Sequence, residues 1–281
     1  MRYFYAPPAM DLRAYVGAYY IMDMPLGGAD LVRVEIPHVR FLLRGDSVLE
    51  HNGVQVCYRS PCVLLCGPAM QAGAVSVTPG TLILGAPLTP RGWQALVGAP
   101  VHELASGKTS LEHFRSVDAR AVQDRLLSAP SDAAMFAAAD DVLRGLVRYP
   151  ARRVHEAFLD AASEWLLDTA SPSIDVLKHE TDFSSRQLDR LCKTYFGASP
   201  VRLRRKYRAL HVSNALAWSG ETDWRKAAGA AYYDQAHFIK EFKEMIGCTP
   251  GEYIKGRNMM IRFTLMQRLA IEHSSGFSLI G

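Results

Sequence analysis

The sequence predicts an α+β protein: an N-terminal β-barrel with attendant helices, then an all-α C-terminal part built from two similar pairs of short helices. Three observations carry this. From about Leu31 to Gly85, short β-branched and apolar runs are broken by Gly, Pro and Asn; after Pro90 the apolar residues fall at helical spacing; and past residue 180 the chain repeats itself at an interval of 50 residues. A chain of 281 residues is long enough to bury two cores. The segment TASPS, residues 169–173, reads as the linker, dividing the chain into 1–170 and 171–281.

The strand candidates, in order, are LVRVEI, VRFLLR, SVLEH, VQVCY, CVLLC and TLILG. Asn52-Gly53, between the third and fourth, marks a hairpin, because a type I′ turn needs positive φ at both central residues. The helix candidates after Pro90 are RGWQALVG, AVQDRLLS, DAAMFAAADDVLRGLVR and RRVHEAFLDAASEWLLD, separated by Pro, Gly or Ser. In the last of them Val154, Phe158, Ala161 and Trp165 recur at helical spacing, a stripe that is either core or the seam of a homodimer.

The repeat pairs FSSRQLDRLCKTYFGASP (Phe183 to Pro200) with YDQAHFIKEFKEMIGCTP (Tyr233 to Pro250). Ser184 and Asp234 fall at the N-cap, Leu188 and Phe238 on the apolar face, Arg190 and Lys240 on the polar face, and Gly197 and Gly247 at the C-terminal end. Each copy is therefore a short amphipathic helix. Each follows another short helix, Ile174 to Glu180 and Trp224 to Ala230, across a tight turn, which is a helix-turn-helix arrangement. Between the copies Ser199 caps a further helix with Pro200 at its first position. Leu203, Tyr207, Leu210 and Ala217 form its apolar stripe, and Arg202, Arg205, Lys206 and Arg208 lie on other faces.

Charge divides along the same boundary. Residues 1–170 carry 15 Lys/Arg against 17 Asp/Glu, a net −2, and residues 171–281 carry 17 against 11, a net +6. The basic part suits a polyanionic partner and the other part needs a different one. Cys57, Cys62, Cys66, Cys192 and Cys248 form no CxxC pair and no zinc-ligand spacing, so they read as buried thiols. The start MRYFYAPPAM lacks a basic stretch followed by an apolar run, and no span of about 18 apolar residues occurs, so a cytoplasmic protein is expected.

The repeat resembles the twin helix-turn-helix domain of AraC-family transcription regulators over roughly residues 173–256, through the G-x-[ST]-P ending of each copy and DQAHF in the second reading helix. The resemblance implies a regulator, an activator by expectation, bound to double-stranded promoter DNA. It places Ser185, Arg186, Asp189 and Arg190 of the first reading helix, and Gln235, Ala236, His237, Ile239 and Lys240 of the second, at base edges or phosphates. Arg202, Arg205 and Lys206 of the connecting helix are expected to join them. Arg186 and Arg190 can donate bidentately to guanine and Gln235 suits adenine, whereas Asp189 either accepts from a cytosine amino group or pairs with a neighbouring Arg. Two features depart from the family pattern: Ala231 stands where the turn of the second unit usually has Gly, and Lys178 and Lys226 occupy slots that favour small or apolar residues.

The N-terminal region resembles the cupin-like sensor domains of many such regulators, through its short strands followed by PRGWQALVGAP. This implies a barrel that receives a small effector and helices that pair two subunits in a homodimer. Arg40-Phe41-Leu42-Leu43-Arg44, followed by Gly45-Asp46, resembles the arginine motif with which PilZ domains hold cyclic di-GMP, although the second PilZ element, [DN]xSxxG, is absent. On a strand of period two Arg40 and Arg44 share a face, so two guanidiniums are expected to converge on an anionic effector, cyclic di-GMP or a metabolite. Two enzymatic alternatives stand beside this: a metal-dependent cupin enzyme or a DNA-repair alkyltransferase fused to the DNA-binding part. None of the nine His shows the His-x-His start of a cupin metal site, and Cys57, Cys62 and Cys66 lie among apolar neighbours that raise a thiol pKa. No catalytic residue, metal or cofactor is therefore expected.

Overall fold

The strands form in short runs rich in β-branched, apolar and aromatic residues. In the computed structural model, described over residues 1–51, 53–148, 155–220, 223–228, 234–256, 259–269, 271 and 276–277, they make two antiparallel sheets. The strands are β1 (Arg2–Ala6), β2 (Tyr19–Met24), β3 (Gly28–Val32), β4 (His38–Arg44), β5 (Asp46–His51), β6 (Val54–Arg59), β7 (Cys62–Cys66), β8 (Gly73–Val77), β9 (Thr81–Pro87) and β10 (Lys108–Ser110). The larger sheet has the order β1-β2-β9-β4-β7-β10 and the smaller β3-β8-β5-β6.

The α+β class holds, but the β part is an open pair of sheets and not a closed barrel. Among the described residues no strand of one sheet is paired with a strand of the other, so each keeps two edges. The inner face of the larger sheet, with Tyr3, Tyr20, Met22, Leu42 and Ile83, packs toward Val75 and Val77 of the smaller. Its outer face, with Phe41, Leu65 and Leu84, is covered by α1 (Pro90–Leu96), α2 (Ala119–Leu127) and α3 (Asp132–Leu146) through Trp93, Leu126 and Leu143. Two thiols depart from the expected burial: Cys57, on edge strand β6, is exposed, and Cys62 is half-buried. Asn52 of the expected hairpin turn lies outside the described residues, but β5 and β6 pair across it with Glu50 opposite Gln55.

The helical part comprises α4 (Glu156–Leu167), α5 (Ile174–Thr181), α6 (Ser185–Phe196), α7 (Pro200–Ser219), α8 (Trp224–Ala228), α9 (Gln235–Ile246), α10 (Pro250–Ile254) and α11 (Met259–Leu269). The stripe on α4 is core. Phe158 is 2% and Trp165 4% exposed, both packed with Leu177, Tyr195 and Leu210 of the helices that follow, so this stripe offers no dimer seam. Val154 lies outside the described residues. The Trp165 indole donates to the Pro172 and Ser173 carbonyls, which pins residues 169–173 to α4. In packing, α4 thus goes with the helices after the expected boundary. Among the described residues no helix is long and apolar enough to cross a membrane.

Candidate nucleic-acid interface and effector cavity

The two copies of the repeat fold as the spacing requires. Ser184 accepts from the Gln187 amide while the Gln187 side chain accepts from the Ser184 amide, closing a capping box on α6, and Asp234 accepts from the Ala236 amide at the start of α9. Gly197 (φ +89°) and Gly247 (φ +96°) end the helices in the left-handed region. The turn from α5 to α6 passes through Asp182 at φ +52°, a conformation Asp tolerates better than most residues. Trp224 of α8 stacks on Phe238 of α9 at 4.6 Å, joining the second pair. Ala231 lies outside the described residues; Lys178 and Lys226 are exposed.

On α6 the apolar face, Leu188, Leu191, Cys192 and Tyr195, is buried, and Ser185, Arg186 and Arg190 are exposed. The Arg186 and Arg190 side chains make no hydrogen bond or ion pair among the described residues. Asp189 pairs with Lys193 one turn on, at 2.7 Å, and not with an Arg. On α9, Gln235, Ala236, His237 and Lys240 are exposed, but Ile239 is half-buried and packs against the core.

The connecting helix corrects the sequence reading. Arg202 donates to the Met70 carbonyl at 3.3 Å; Arg205 bonds Glu241 at 2.8 Å and Glu244 at 3.0 Å; and Lys206, only 1% exposed, donates to the Glu35 carbonyl at 2.6 Å, its pKa pushed down to about 7 by burial. These three cations are turned to protein partners because α7 packs against α4, α9 and the N-terminal region, which bring carboxylates and carbonyls to its polar faces; Lys206 is buried, and Arg202 and Arg205 remain half-buried. Glu241, which the repeat gave no reason to single out, is the hub: its buried carboxylate accepts from Arg205 Nε and from Arg208 Nε and Nη2, at 2.7 to 3.1 Å.

A second site lies between the sheets. A cavity of about 100 Å³ is walled by Tyr3, Tyr5, Tyr20, Leu42, Val75 and Ile83, closed by Ile261 and Arg268 of α11, and holds Arg33, Arg40 and Glu35. Tyr20 lies flat over Gly85 on the neighbouring strand, where a Cβ would fall 2.0 Å from its ring. Arg40 donates to Glu35 at 2.6 Å and to the Tyr20 hydroxyl at 2.8 Å. Burial alone would raise the Glu35 pKa, but the Arg40 charge, the neighbouring His38, the Arg40 hydrogen bond and Lys108 together outweigh it and hold the carboxyl at about 2. Burial pushes His38 down to about 3, leaving a neutral ring bonded to the Ile36 carbonyl at 2.7 Å. Arg33 is lowered to about 10, first by burial and then by the nearby Arg268, and donates to Ser213 Oγ at 3.0 Å and Asn214 Oδ1 at 2.5 Å on α7.

The expected convergence of Arg40 and Arg44 does not occur. The pairing of β4 with β9 shifts register between Leu42, opposite Ile83, and Arg44, opposite Leu82. One extra residue in the strand sends Arg44 to the other face. Arg44 is exposed, while Arg40 lines the cavity. Arg33, Arg268 and the three tyrosines went unnoticed in the sequence because no local spacing links them.

Residues 177–256 match the family described as a helix-turn-helix domain. The chain carries a helix-turn-helix domain. Its match runs from within α5 through α6, α7, α8 and α9 to α10. No curated protein matches the sequence. Among solved structures the chain is similar to ToxT from Vibrio cholerae O395, at 12% identity and a TM-score of 0.46, covering 85% of this chain and 96% of that one. It is also similar to ToxT bound to (E)-4-(8-methylnaphthalen-1-yl)but-3-enoic acid, at 12% identity and TM-score 0.48 over 84% and 97%, and to the AraC-like transcriptional activator CuxR, at 12% identity and TM-score 0.27 over 74% and 85%.

Proposed function

We propose that the chain is a transcription regulator of the AraC type that reads duplex DNA with α6 and α9 and answers to a small effector held between its sheets. One observation supports the DNA reading above the others. In a helical part where the cations of α7 are tied to protein oxygens, Arg186 and Arg190 stand exposed on the polar face of a capped helix without such partners. Exposed donors of that kind on a helix-turn-helix reading helix are what base edges and phosphates require. Selection of duplexes from a random pool by the full chain tests it. A recovered common sequence, bound with an affinity that falls steeply with salt, is expected; recovery of no sequence above the starting pool would sink the proposal.

The effector we infer is a compact anion with an apolar or aromatic body. Among the lining side chains three guanidiniums face one carboxylate, and tyrosines with aliphatic residues make the rest of the wall. A cavity of about 100 Å³ is of the order that holds a single ring and lies below the usual size of a site for a drug-sized ligand. Cyclic di-GMP needs more space and loses the paired-arginine patch. Phenylacetate is the probe: at saturation it is expected to raise the melting midpoint of the parent by about 3 °C or more and not that of Arg33→Ala/Arg268→Ala. Equal shifts in both proteins, or a shift with cyclic di-GMP alone, would refute the inferred ligand class.

A further inference from the structure

The N-terminal region reaches the reading side of α6. The 3₁₀ turn Val101–Leu104 is pressed against the end of that helix: a Cβ at Gly197 would lie 3.0 Å from Val101 Cγ1 and 2.7 Å from Pro68 Cγ. Val101 is fully buried and anchors the turn. The next residue, His102, is exposed and lines the same surface groove as Arg186, Asp189, Arg190 and Lys193. Its side chain has no hydrogen bond or ion pair among the described residues. Glu103 is also exposed, but in a 3₁₀ turn successive side chains point about 120° apart, and Glu103 does not line the groove.

The geometry of DNA gives this placement a consequence. The major groove is about 12 Å wide and a helix with its side chains about 10–12 Å across. A reading helix therefore fills the groove, and a sugar-phosphate strand runs along each flank. A polar side chain set beside the helix by another element meets phosphate oxygens there, and the imidazole N–H is a suitable donor. We infer that His102 is a phosphate contact supplied by the N-terminal region, so that the effector-bearing part of the chain touches the DNA directly beside the first reading helix. This rests on the assignment of α6 as a reading helix. Such a contact carries no base information; it fixes where the N-terminal region stands on the duplex.

The test measures anisotropy of the full chain on a duplex recovered by selection and on an unrelated duplex, at one salt concentration. His102→Ala is expected to bind both about three- to tenfold more weakly, the loss of one hydrogen bond, with the preference between them unchanged. His102→Glu, which sets a carboxylate against phosphate, is expected to bind more weakly still. Melting midpoints should match the parent, since the side chain is exposed. Arg190→Ala runs alongside. If Arg190→Ala weakens binding and both His102 variants bind like the parent, the His102 contact is overturned and the reading of α6 stands. If only the His102 variants weaken binding, the contact stands and Arg190 alone leaves the set of reading residues; if none does, the contact is overturned. Tighter binding by His102→Ala would also overturn the contact, because the turn would then be an obstruction.

Discussion

Glu241→Ala is expected to cost the protein about 3 kcal/mol of stability, the usual penalty for breaking a buried ion pair by removing one partner. Its carboxylate is wholly buried and accepts from Arg205 and from Arg208, whose side chain is only 11% exposed. Removing the carboxylate leaves the Arg208 charge inside the protein with its main partner gone. Arg205 suffers less, since it is 34% exposed and keeps Glu244 at 3.0 Å. Glu241→Gln, which retains an oxygen acceptor of the same size but not the charge, should recover part of the loss. Urea unfolding followed by circular dichroism measures both. A loss below about 1 kcal/mol for the alanine variant, in the range of exposed pairs, would mean that water reaches the carboxylate and that the pair does not fix α9 against α7.

The same ion pair shows where the sequence could be read and where it could not. The repeat exposed both α6 and α9 because each is a local object: Ser184 with Gln187, Leu188 with Leu191, Gly197 at φ +89° all act within one or two turns. The connecting helix defeated the same reasoning. Its apolar stripe at Leu203, Tyr207 and Leu210 follows helical spacing, yet Lys206 beside it is buried as deeply, since its partner is the Glu35 carbonyl, far away in the chain. Strands β4 to β7 and β9 were legible from β-branched runs, whereas β1 and β2 were not, because RYFYA and YYIMDM are tyrosine-rich segments embedded among polar and proline residues. The misplacement of Arg44 has the narrowest cause. Period two holds only until one extra residue enters a strand, and nothing in RFLLRGD announces the bulge. The cavity was the least legible feature, for its arginines come from three separated stretches, at 33, 40 and 268.

Arg186→Ala and Arg190→Ala are each expected to weaken binding to the selected duplex by about 1–3 kcal/mol, roughly 5- to 150-fold in Kd, if they read bases. Both side chains are exposed on α6, and a planar guanidinium can take the two acceptors of one guanine edge. Loss of such a contact should flatten the sequence preference at one position and leave binding to unrelated duplexes less affected. The two residues stand one turn apart, so the double variant need not show the sum of the single losses. Arg202→Ala is the contrast: its guanidinium is turned to the Met70 carbonyl, and its removal should leave the preference intact even where stability falls. Lys193 offers a graded case, since its pairing with Asp189 at 2.7 Å on the surface is weak enough for a phosphate to compete. Titration of each variant against the selected duplex and against single-base changes of it decides the matter. Parent-like affinity and preference in both Arg186→Ala and Arg190→Ala would remove α6 from the DNA interface and leave α9, with Gln235, His237 and Lys240, as the helix that reads.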